Sequence, residues 1–368
     1  MGRVTTEQTD SLGSIAGGST PIGGFAEIFA ESSLYKSVNS VVRREDHALL
    51  DQAYPYIDSK QNFSVLVHDD ASGNIFYAIH FSKKLGLYLA GGQSSWYFTS
   101  LDGKNWVQGS ASVAARKYVE NSYGVVVAFD YGKYTEWTED GLTWVSGTTL
   151  NQLTSFRDAC YDKTLDLFFA VGDGTYFYKS SDGKSFNSTY WSNGTSDTYR
   201  VVSDGNGTVL AFDNEGDVYK YDVDNDSFVQ VSVSPTGARI ECVVYNHSDG
   251  HFYILEAEGF YKSLDGSGWE SISSFGGGAE SATVLPDGTI VAARSGSDGI
   301  ISYTEDGGSS WVSFQTPISS TPYVIASDDK GSCFVGLDAG MIYNIGITTS
   351  AQIAIPGDTT ETRLVRVK

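Results

Sequence analysis

The sequence predicts an all-β fold, a β-propeller of seven blades, and three observations predict it. One short turn motif recurs six times at a period of about 41 residues. Each period holds four short apolar runs of strand length. The composition suits many short strands joined by tight turns: of 368 residues, 41 are Gly and only 7 Pro, while 13% are aromatic.

The turn motif comes first. Ser100-Leu101-Asp102-Gly103-Lys104-Asn105-Trp106 returns as Thr138 to Trp144, Ser180 to Phe186, Ser263 to Trp269 and Thr304 to Trp311. A degenerate copy runs from Asp222 to Phe228. The predicted structural pairs are Asp102 and Trp106, Asp140 and Trp144, Asp182 and Phe186, Asp224 and Phe228, Asp265 and Trp269, and Asp306 and Trp311. Asp-Gly supplies a hairpin turn, because glycine takes positive φ without strain. The Ser, Thr or Asp side chain holds the turn by bonding local amides. The Trp or Phe packs beneath it.

The strands follow from the runs around each turn. Trp96-Tyr97-Phe98, Tyr176-Phe177-Tyr178 and Phe260-Tyr261 precede a turn. Leu87 to Ala90, Val125 to Ala128, Leu167 to Ala170 and Phe252 to Leu255 form a second set. Ala159-Cys160-Tyr161 and Cys242 to Tyr245 open their units, and Trp144-Val145 and Phe228 to Val231 close theirs. A seventh unit starts near Tyr323 and runs through Cys333-Phe334-Val335 and Met341-Ile342-Tyr343, but lacks a fourth strand. The lone strand Phe63 to Val67 would supply it and close the ring. Six blades with a C-terminal appendage is the alternative. The propeller is thus placed at residues 56–348, a flexible or helical N-terminal arm at 1–55 and a C-terminal strand extension at 349–368. The arm carries Leu34, Val38, Val41, Val42 and Leu49 at helical spacing, and the extension alternates in Thr362 to Lys368.

These turns resemble the Asp-box, or BNR, repeats of sialidase-like β-propellers, whose pattern is Ser/Thr-x-Asp-x-Gly-x-Ser/Thr-Trp. Thr304 to Trp311 matches in full, and the resemblance covers roughly residues 71 to 348. It implies the fold and says little about function, since the turn occurs in enzymes, receptors and assembly factors alike. Sialidases also carry an Arg-Ile-Pro signature near the start of the propeller. No Ile-Pro follows an Arg here, so no catalytic residue is assigned and the chain is expected not to be an enzyme. A glycan-cleaving hydrolase and an assembly-factor propeller are the alternatives. The small-polar N-terminal stretch, the arm, the propeller and the basic C-terminal strand together look like bacteriophage tail proteins. That resemblance implies a virion structural or host-attachment protein, made in the host cytoplasm. Its expected partners are other tail proteins, met through the arm and the C-terminal strand, and a host surface glycan. A homo-oligomer within the assembly is expected too.

Charge and cysteine usage narrow the classes. A net charge of −21 argues against a nucleic-acid-coating surface and against docking on anionic lipid. No apolar run is long enough for a transmembrane helix. Three widely spaced cysteines, Cys160, Cys242 and Cys333, sit in strand-like runs and read as buried hydrophobes. No metal site or cofactor is expected. The five histidines show no useful pairing, and Asp222-x-Asp224-x-Asp226 lacks the later ligands of a calcium loop.

One pattern points to a ligand. Arg116, Arg157, Arg200 and Arg239, four of ten arginines, recur with the blades, 24 to 26 residues before each motif Asp. That position opens the innermost strand, at the channel mouth opposite the motif turns. Four guanidinium groups there would suit a carboxylate or phosphate. The competing account pairs each Arg with a neighbouring carboxylate such as Asp158 or Glu241.

Overall fold

The computed structural model describes residues 62–69, 73–191, 197–256, 259–273, 275–296, 298–317, 319–338 and 340–347. The chain divides into two compact units, residues 65–344 and a second made of 1–64 with 345–368. The second unit lies almost wholly outside the described residues, and with it the predicted helical arm and C-terminal strand.

Unit 65–344 is a seven-bladed β-propeller, and no helix occurs among the described residues. Each blade is a four-stranded antiparallel sheet in sequence order, as in blade three: Phe156–Asp162, Leu167–Gly172, Tyr176–Ser180 and Asn187–Tyr190. Blade seven departs from that order. Its inner three strands are Pro322–Ser327, Cys333–Leu337 and Met341–Ile347, and its outer strand is Asn62–Asp69 from the start of the chain. The ring is therefore closed by hydrogen bonds between its two ends, and the six-bladed alternative is excluded. Closure covers a sheet edge that would otherwise be open.

The core lies between blades. Phe129 of blade two stacks on Phe156 of blade three at 4.9 Å, and Phe168 and Phe186 belong to the same buried cluster. Val324, Phe334 and Ile342 of blade seven pack with Phe76, Tyr88 and Phe98 of blade one. Second strands are covered on both faces, which explains why they read as continuous apolar runs: Val126 to Phe129 and Val209 to Phe212 are all buried. Cys242 and Cys333 are buried and Cys160 half-buried, all three as free thiols.

The repeated turn has two functions, one local and one between blades. Ser100 Oγ accepts the Gly103 amide at 2.9 Å and donates to Asp102 Oδ1 at 3.0 Å. Asp102 Oδ1 then accepts the amides of Lys104 and Asn105 at 2.8 Å. Thr138 and Asp140 repeat this, and the amides of Thr143 and Leu142 hold the Asp140 carboxyl down at about 2. Gly103 sits at φ +69°, and a Cβ there would stand 2.6 Å from Phe334 Cζ in blade seven. The glycine turns of blades one, two, three, five and six thus plug against the blade before them, with Gly141 on Leu87, Gly183 on Val127, Gly266 on Leu210 and Gly308 on Phe260. Trp106, Trp269 and Trp311 face the same way, toward Phe334, Phe212 and Phe260. Blade four corrects one expectation. There Asp222, not Asp224, accepts the turn amides, those of Asp224 and Asn225. The turn is shorter, four residues between its strands against six in blade one, and Asp226 at φ +50° takes the left-handed conformation that glycine adopts elsewhere.

Candidate functional site

Six of the seven innermost strands share an irregularity at their second residue. In six blades the pairing to the second strand skips one residue: Tyr77, Arg116, Arg157, Tyr199, Glu280 and Tyr323. In blade five Glu241 stands just before the inner strand, and its own amide donates to Glu256. A bulged residue leaves the ladder and its side chain is re-aimed. All seven line one cavity of about 430 Å³ where the inner strands begin. That end of the blades is opposite the motif turns.

The four predicted arginines also line this cavity, but not as four equivalent groups. Arg116 and Arg157 are bulge residues. Arg200 follows the bulge residue Tyr199, and Arg239 lies two residues before Glu241. Their partners differ as well. Arg157 forms a bidentate pair with Asp173, Nε–Oδ1 at 2.6 Å and Nη2–Oδ2 at 2.7 Å. Asp173 raises the Arg157 pKa further, so this group stays charged. Arg200 donates to the carbonyls of Glu241 and Tyr199 at 2.6 and 2.8 Å, with the Glu241 carboxylate 3.7 Å away. Arg239 bonds the same carboxylate. Asp158, the other expected partner, is taken by Lys117 at 3.0 Å.

Arg116 is the exception. Among the described residues no carboxylate lies within ion-pair distance of its guanidinium, and Asp130 acts on it only from farther off. Its plane instead covers the Tyr77 ring at 3.5 Å, with the Tyr131 ring at 5.2 Å. Stacking continues around the mouth. Arg157 lies 5.5 Å from Tyr131 and 4.6 Å from Tyr199, and Arg239 lies 4.6 Å from Tyr199 on its own side. In the other direction Tyr77 meets Tyr323 edge-on at 5.4 Å. At Arg116 stacking holds the guanidinium while leaving its N–H edge available, whereas the edges of Arg157 and Arg239 are taken by Asp173 and Glu241.

Charge at the mouth opposes the charge of the chain. Five cationic side chains, Arg116, Lys117, Arg157, Arg200 and Arg239, stand against three carboxylates, Asp158, Glu241 and Glu280. The tyrosines, Glu280 and Asp173 were not singled out by sequence reasoning. A signal for four of them, Tyr77, Tyr199, Glu280 and Tyr323, existed. Residues 77, 116, 157, 199, 241, 280 and 323 share the blade period, but the residue type changes from blade to blade. The turn residues Asp102, Asp140, Asp182, Asp265 and Asp306 lie at the opposite end and do not enter the site.

No protein-family model matches the chain, and no curated protein sequence does. Solved structures share its fold. A streptogramin B lyase superposes with a TM-score of 0.66 at 10% identity, covering 78% of this chain and 98% of that one. Catalytically inactive virginiamycin B lyase from Staphylococcus aureus with quinupristin gives 0.67 at 9%, covering 78% and 100%. YCF48 from Cyanidioschyzon merolae gives 0.61 at 14%, covering 76% and 98%. At these identities the likeness is one of fold.

Proposed function

We propose that this protein is a non-catalytic binding propeller whose channel mouth takes an anionic group of its ligand. One observation carries the proposal. Arg116 is fixed flat on Tyr77 at 3.5 Å, without a carboxylate partner, inside a 430 Å³ cavity of a chain with net charge −21. On so acidic a molecule a free guanidinium at a concave site is the place where an anion gains most. The paired arginines contribute walls: Arg157 is held by Asp173, and Arg200 and Arg239 by Glu241.

Hydrolysis fits the mouth less well. Glycoside cleavage uses two carboxylates, one of them free to give a proton. Asp158 is occupied by Lys117 and Glu241 by two arginines, which leaves Glu280 without a working partner. The turns that resemble Asp-boxes act as blade clasps, so they favour neither reading. The virion setting, as tail component or adhesin, rests on the arm and the C-terminal strand, which lie outside the described residues. Of those two roles an open mouth supports the adhesin. A partner-docking or assembly role would use the same mouth for an acidic side chain.

The test is calorimetric titration of inorganic phosphate in low-salt buffer. A hydrogen-bonded ion contact of this kind is worth about 1.5–3 kcal/mol. Arg116→Met should therefore weaken phosphate at least about tenfold. Equal binding by wild type and Arg116→Met would overturn the assignment.

A further inference from the structure

The mouth carries a second unpartnered charge, and it is negative. Glu280 is the bulge residue of blade six, exposed, and lines the same cavity. Among the described residues no cation lies within ion-pair distance of its carboxylate. Each other carboxylate of the lining is occupied, as is each other cation. The two free charges are thus Arg116 on blade two and Glu280 on blade six. Between them, in ring order, stand Tyr77 of blade one and Tyr323 of blade seven, in edge-on contact at 5.4 Å. The Tyr323 phenol lies within the field of both charges.

A free cation and a free anion across one aromatic pair match a ligand with the reverse order of charge. A simple anion would leave Glu280 to repel it, and a simple cation would be repelled by Arg116. Only a molecule carrying both groups satisfies both ends and lays its middle on the tyrosines. From the anion reading given above, we infer that the ligand is a zwitterion, with its phosphate or carboxylate on Arg116 and its ammonium toward Glu280 and Tyr323.

Phosphocholine and inorganic phosphate are the probes, titrated into the full chain at low ionic strength. Phosphocholine should bind about tenfold more tightly than phosphate, the combined worth of an exposed ion contact and a cation–π contact. Glu280→Gln should abolish that preference, weakening phosphocholine while phosphate, freed of the repulsion, binds as tightly as in wild type or more tightly. Arg116→Met should weaken both probes. Co-sedimentation with phosphatidylcholine vesicles supports a membrane-borne zwitterion. Binding of free phosphocholine without co-sedimentation supports a soluble or polymer-borne one. Equal affinity for the two probes, or a preference that survives Glu280→Gln, overturns the zwitterion and leaves the anion site standing. Failure of wild type to bind either probe overturns both.

Discussion

Arg157 and Arg116 occupy equivalent bulges in adjacent blades, so exchanging each for Met separates structural from ligand-facing arginine. Arg157→Met removes two charge-assisted hydrogen bonds, at 2.6 and 2.7 Å, and strands Asp173. The side chains are 24% and 16% exposed, between the surface and buried limits. Surface pairs are worth about 0–1 kcal/mol, and breaking a buried pair costs about 3–5. The expected loss is about 2 kcal/mol, which for a domain of this size lowers the midpoint of thermal unfolding by roughly 3–4 °C. Arg157→Met with Asp173→Asn should recover part of it, since no lone carboxylate remains. Arg116→Met breaks no ion pair and keeps apolar contact with Tyr77. Its cost is about 0.5–1 kcal/mol, the worth of an exposed cation–π contact, or about 1–2 °C. Thermal unfolding followed by far-ultraviolet circular dichroism reads both, beside the phosphate titration. The expected pattern is crossed: Arg157→Met loses stability and keeps most binding, while Arg116→Met does the opposite. Should Arg116→Met lose as much stability as Arg157→Met with phosphate affinity unmoved, Arg116 is a structural residue and the argument from its free edge fails.

The turns give two further predictions. Gly103→Ala combines left-handed strain at φ +69° with a clash 2.6 Å from Phe334 Cζ, whereas Gly237 at φ +59° faces open space. Chemical denaturation should show a loss of about 2–4 kcal/mol for Gly103→Ala and about 1–2 for Gly237→Ala, and equal losses would contradict the blade-clasp role. The second concerns pH. The Asp140 carboxyl is held at about 2 in the fold by the Thr143 and Leu142 amides, against about 3.9 unfolded. Because the folded value is the lower one, its contribution is complete above the unfolded pKa and disappears as pH falls through the folded one. The midpoint difference between wild type and Asp140→Asn should therefore shrink between about pH 4 and pH 2, and a constant difference across that window would count against these bonds.

The amino-acid sequence by itself determined the architecture. Asp-Gly turns followed by Trp or Phe recur because each must meet the same two demands, a left-handed residue and an aromatic seal against the preceding blade. Such local demands leave the same residues at the same spacing. The strand Phe63 to Val67 could be assigned to blade seven because a unit short of one strand and a strand without a unit complete each other. The shorter turn of blade four escaped, since Asp222, Asp224 and Asp226 are alike in type and only backbone geometry selects Asp222 as acceptor.

The site was decided by tertiary structure. The periodic arginines pointed to the end of the blades where the cavity lies, yet sequence could not tell Arg116 from Arg157. Their difference is a carboxylate, Asp173, brought by the second strand of blade three and its following turn. The bulges were hidden for a similar reason. One extra residue breaks the alternation that marks a strand, and so Tyr77, Tyr323 and Glu280 reach the cavity from positions that a period-two reading does not assign to it. Repetition makes a fold legible because every blade obeys it. A binding site lies where the blades differ, and which differences face one another is set only when the ring closes.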